Sequence, residues 1–84
     1  MTTATKISPL LSVGTFGTHL TENPNGSFGF VGTVPNDFQG KVFKTFDEGF
    51  NAFVEWFNSQ PVDFRREHVG NLRNDVFVSV MESA

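Results

Sequence analysis

The sequence predicts an α+β domain: an antiparallel β-sheet in the chain order β-β-β-α-β, with one amphipathic helix packed on one face. Three observations carry that expectation. The turn sequence Asn23-Pro24-Asn25-Gly26 separates two stretches suited to a β-hairpin. A phenylalanine stripe follows at helical spacing, at Phe46, Phe50, Phe53 and Phe57. A valine-rich run, Asp75 to Met81, then alternates in the manner of a strand. The helix stripe must bury itself against an apolar sheet face, which makes a two-layer domain.

Each element has its own justification. Residues 1–12 are rich in Thr and Ser and end in Leu10-Leu11, which reads as a flexible tail with an apolar anchor. The apolar run there is short and broken by Pro9, so it does not make a secretory leader. Residues 13–84 form the single α+β domain. In the hairpin over residues 14–35, Asn23 starts a type I turn, Pro24 presets φ, and Gly26 takes the left-handed bulge position. Such a loop pairs Asn23 with Ser27, Leu20 with Phe30, Thr18 with Gly32 and Phe16 with Val34. Phe16, Leu20, Phe28, Phe30 and Val34 then share one face. A register shifted by one residue would split that apolar set across the sheet.

Lys41–Thr45 reads as a short third strand. Residues 46–59 read as the helix. Thr45 and Glu48 have capping-box spacing, and Pro61 stops the run. Residues 62–73 fit either a short helix or an irregular loop. Residues 75–81 read as the last strand, with Val76, Val78 and Val80 on one face.

Composition narrows the function. The chain has 84 residues, no Cys, eleven Phe, one Trp and no Tyr. Without disulfides or thiolate metal sites the fold depends on packing, and phenylalanine supplies large apolar area for it. The net charge is −3. Residues 1–44 hold three Lys against two acids, and residues 45–84 hold three Arg against seven acids. That balance is opposite to the basic bias of a domain that grips phosphates. No segment is apolar enough to span a bilayer, so no membrane role is expected, and the cytoplasm is the expected location.

Phe28-Gly29-Phe30-Val31 resembles the centre of the octamer of RNA-recognition-motif domains, which stack bases on exposed sheet aromatics. The resemblance covers about eight positions of the family pattern. Gly26 stands at its basic first position, Ser27 at its glycine and Thr33 at its terminal aromatic. Phe28 and Phe30 are therefore expected in the core. The β-β-β-α order resembles the DNA-binding domains of plant ethylene-response factors and integrase arm modules. That family reads DNA from arginine-rich strands, and the first two strands here contain no Lys or Arg.

The candidate binding residues fall in two groups. The outer sheet face carries His19, Thr21, Val31 and Thr33 between Gly17 and Gly29, flat and nearly free of charge. Elsewhere Trp56 flanks the helix stripe, and Arg65, Arg66 and Arg73 could hold a carboxylate or phosphate. No catalytic or metal site is expected, and no cofactor: His19 and His68 lie in different elements, and no nucleophile motif surrounds any serine. The expectation is a small, non-enzymatic protein-interaction module. It would act as an accessory factor or inhibitor of the kind phages and mobile elements carry, on a host protein complex. A protein partner is expected, or a second copy of the chain. The alternative is nucleic-acid binding through Lys41, Lys44, Arg65, Arg66 and Arg73.

Overall fold

The computed structural model describes residues 6–13 and 16–83. Four antiparallel strands form one sheet in chain order: β1 (Lys6–Val13), β2 (Phe16–Glu22), β3 (Phe28–Gly32) and β4 (Val42–Phe43). Three α-helices follow: α1 (Phe46–Asn58), α2 (Val62–His68) and α3 (Asn74–Ser83). The α+β class is as the sequence predicts. The single helix is not, since α2 and α3 join α1.

The central hairpin has the register its turn dictates. Leu20 pairs with Phe30 and Thr18 with Gly32. The Asn23 amide donates to the Ser27 carbonyl at 2.7 Å, and Gly26 takes φ +90°. Asn25 Oδ1 accepts from the Ser27 amide at 3.1 Å and its hydroxyl at 2.6 Å, tying the turn to the start of β3. At the other end Gly32 takes φ +91°, and a Cβ there would lie 2.3 Å from the Gly17 carbonyl oxygen. Only glycine satisfies both conditions. The Thr33 amide then reaches that same carbonyl at 2.8 Å. The expected placement of Phe16 and its pairing with Val34 lie outside the described side chains.

Residues 6–12, assigned from the sequence to a tail, lie in β1. They pair with β2 through an irregular register that breaks on both sides of Pro9. Pro9 has no amide to give a ladder, so an edge strand with a bulge suits it. The bulge also takes Leu10 and Leu11 out of strict alternation, and both are fully buried. Residues 1–5 of that tail lie outside the described residues.

Helix α1 starts as its sequence dictates. Thr45 Oγ1 accepts from the Glu48 amide at 3.1 Å, and Glu48 Oε1 accepts from the Lys44 amide at 3.1 Å. Its Phe stripe lies on the sheet, with Phe53 and Phe57 fully buried. Gly49 lets the helix approach Leu20: a Cβ would meet the leucine methyls at 3.1 and 3.2 Å. Phe30 is held by Phe38 at 4.5 Å, Phe43 at 5.7 Å and Phe53 at 6.2 Å between ring centroids. Phe28 packs edge-on against Phe46 at 6.0 Å. Both rings are half-buried and pack against the core between sheet and helix.

The expected final strand, Asp75–Met81, is instead helix α3. The outer edge of β1 is met by the preceding segment. Leu72 bridges Leu11, and the Arg73 amide donates to the Leu10 carbonyl at 3.2 Å. The chain then leaves the sheet edge and turns helical at Asn74. Asp75 Oδ1 accepts from the Val76 amide at 2.9 Å. As a helix the segment sends Val76 and Val80, four apart, into the core beside α1. Tertiary burial here overrides the strand preference of valine. Residues 62–73, open between helix and loop in the sequence, form α2 and a 3₁₀ turn over Val69–Asn71. Among the described residues no helix is long and apolar enough to cross a membrane.

Candidate interaction surface

The surface that stands out is built by α2 and α3. At 100° per residue, Val76 and Val80 define the core side of α3, and Phe77, Met81 and Val78 fall about 100–200° round from Val76. They are 37%, 55% and 43% exposed. Val78 points nearly opposite the core. A ten-residue helix that is apolar over half its circumference has covered only part of that arc. Val62, at the start of α2, adds another apolar side chain at 53% exposure.

Between these helices lies an open groove of about 290 Å³. Phe57, Val69 and Val80 line it, with Val62 and Met81 among its exposed walls. Its two charged residues are Arg65 and Arg66. Arg65 Nε donates to the Gln60 carbonyl at 2.9 Å, which fixes the guanidinium at the end of α1. Arg66 pairs with Asp63 at 4.0 Å, with both side chains widely exposed. A pair of that kind contributes little and exchanges readily for a better acceptor.

Arg73 does not join them. Its guanidinium forks onto the Asp75 carboxylate, with Nε to Oδ1 at 2.9 Å and a second, closer contact from Nη2 to Oδ2. It also lies 5.9 Å from the centroid of Phe46. Arg73 holds the Asp75 carboxyl below the ordinary aspartate range, chiefly through that hydrogen bond and also by its charge. Partial desolvation opposes this, and the Val76 amide adds to it. This fork secures the first turn of α3.

Trp56 is half-buried, with ring centroids of Phe38, Phe53 and Phe64 within 5.6–5.7 Å. It bridges α1 to α2 as a packing residue. His68 is buried with its ring 4.3 Å from Phe64.

The outer sheet face is narrower than its sequence implies. Thr21 is buried and His19 half-buried. The His19 ring lies along the glycines: a Cβ on Gly32 would come within 3.0 Å of Cδ2, and one on Gly17 within 3.8 Å of Nε2. Those glycines leave room for the imidazole. Val31, Thr33 and Val42 are exposed there, so the face offers two apolar side chains separated by Gly29, which pairs with Val42.

Of the residues singled out in the sequence, the structure therefore brings Arg65 and Arg66 together at one groove and leaves Arg73, Trp56 and the sheet-face group elsewhere. It adds Val62, which lay in the segment open between helix and loop, and Phe77, Val78 and Met81, which the strand reading of residues 75–81 concealed. The signal was Asn74-Asp75, a pair of helix-start residues directly before the valine run. The chain matches no protein-family model, no curated protein and no solved structure.

Proposed function

We propose that this protein is a small, non-enzymatic interaction module that binds another protein through the α2–α3 surface. One observation carries the reading: α3 keeps Phe77, Val78 and Met81 open to solvent beside Val62 and an apolar groove. Contiguous exposed apolar area of this kind marks interaction sites in small proteins. An accessory or inhibitory role on a larger complex suits a domain with so little chemistry of its own. The cytoplasm is its proposed setting, in keeping with a chain that has no cysteine. Against the nucleic-acid alternative stand the engagement of Arg73 by Asp75, the placement of Lys41 and Lys44 beside β4 but of Arg65 and Arg66 on α2, and the net charge of −3.

The test compares capture from the native host by the wild-type chain and a Val78→Glu/Met81→Glu variant. Both residues point away from the core, so the variant is expected to keep the wild-type circular dichroism spectrum and to lose the proteins the wild type retains. A folded variant that captures the same set would overturn the reading.

A further inference from the structure

We infer that the groove between α2 and α3 receives an acidic amphipathic peptide segment, with an apolar side chain in the groove and a carboxylate on Arg65 and Arg66. This rests on the α2–α3 surface being the binding face. Three features select the occupant.

The first is size. A volume of about 290 Å³ lies at the lower edge of the ~300–1,000 Å³ typical of small-molecule sites. It suits one or two large side chains from a peptide.

The second is lining. The walls are apolar except for Asn58 and the two arginines. Exposed apolar side chains continue beyond the groove along α3, at Val78 and Phe77. An amphipathic segment that anchors in a groove and runs on over a helix face has this footprint.

The third is charge. Arg65 spends Nε on Gln60, so its fork is oriented while Nη1 and Nη2 stay available for a carboxylate. Arg66 holds only a loose, exposed pair with Asp63. Among the described residues no acid lines the groove, although residues 45–84 carry seven acids against three arginines. The two arginines thus give the groove a charge opposite to the net charge of residues 45–84, which favours an acidic partner at this spot and in one orientation. The net charge of −3 on the chain disfavours anionic lipid and nucleic acid, whose many phosphates call for more cations than the two arginines supply.

The test uses the full chain and matched synthetic peptides. Short amphipathic peptides carry Leu, Phe or Met at helical spacing, with flanking positions either Glu or Lys. Binding is read by fluorescence anisotropy and by amide and methyl chemical shifts. The Glu peptides are expected to shift Val62, Arg65, Arg66, Val69 and Met81. The Lys peptides are expected to bind at least about tenfold more weakly. In an Arg65→Gln/Arg66→Gln variant that preference should disappear, while the apolar contribution persists.

Equal binding of Glu and Lys peptides at these residues would overturn the acidic-partner inference and leave the interaction surface standing. Binding by neither set would overturn the inference also, and the host-capture comparison would then decide the broader reading separately. Shifts at Val31 and Val42 instead would overturn it in favour of the sheet face. Concentration-dependent shifts at the groove without peptide would overturn it in favour of a second copy of the chain. Preferential binding to phosphatidylserine vesicles would overturn it in favour of a membrane surface.

Discussion

Single residues decide how the helical layer meets the sheet. Gly49 brings α1 down onto Leu20, and Gly32 lets the end of β3 pass the Gly17 carbonyl. Arg73 and Asp75 do the corresponding work for α3. The carboxylate receives the arginine fork and the Val76 amide, so its charged form is favoured in the folded chain. Its pKa is depressed on folding. The stabilisation it contributes is therefore present above the ordinary aspartate pKa of about 3.9 and is lost as pH falls through the lower folded value. Asp75→Asn is expected to lower the melting temperature at neutral pH by a small amount, because half of that side chain is exposed. The gap between wild type and variant should close on acidification below about pH 4. A gap that widens toward acid, read by melting curves across pH, would contradict this account of the pair.

At the scale of elements, legibility followed the strength of local chemistry. The hairpin was readable because Asn23, Pro24 and Gly26 select one loop, and that loop places Leu20 and Phe30 opposite each other. Helix α1 was readable because Thr45, Glu48 and the Phe stripe agree. Strand β1 was harder, since Pro9 and the bulge destroy its alternation. Residues 75–81 pattern as a strand and fold as part of helix α3 for a physical reason. Val76, Val78 and Val80 alternate as a strand would, yet Val76 and Val80 are also one helical turn apart, and only the α1 surface chooses between the two. The choice has a measurable consequence. Val76→Ala is expected to cost about 2 kcal/mol or more as a core truncation, whereas Val78→Ala should change stability by about 0.5 kcal/mol or less. Chemical denaturation of the two variants distinguishes the helix from a strand, in which both valines would share one face and cost alike.

For the whole molecule, the division of labour follows from where the apolar residues go. Eight phenylalanines from Phe28 to Phe57 pack between sheet and α1: Phe53 and Phe57 are fully buried and Phe30 is enclosed by three rings. In that core the rings of Phe28 and Phe30 pack against other rings between sheet and helix. Among the described residues the exposed large apolar side chains gather chiefly on α2 and α3, beside two arginines that line a groove free of acids. The sequence revealed those arginines as candidate holders of a carboxylate or phosphate but not the apolar face next to them, because that face exists only once residues 74–83 are helical. The most direct measurement is a methyl-resolved NMR footprint of the protein in complex with the host protein it captures. Val62, Val78 and Met81 are expected to shift and become shielded from a soluble paramagnetic agent, while Val31 and Val42 keep their free-state signals. Shielding of Val31 and Val42 with the α3 methyls unchanged would contradict the account and move the binding face to the sheet.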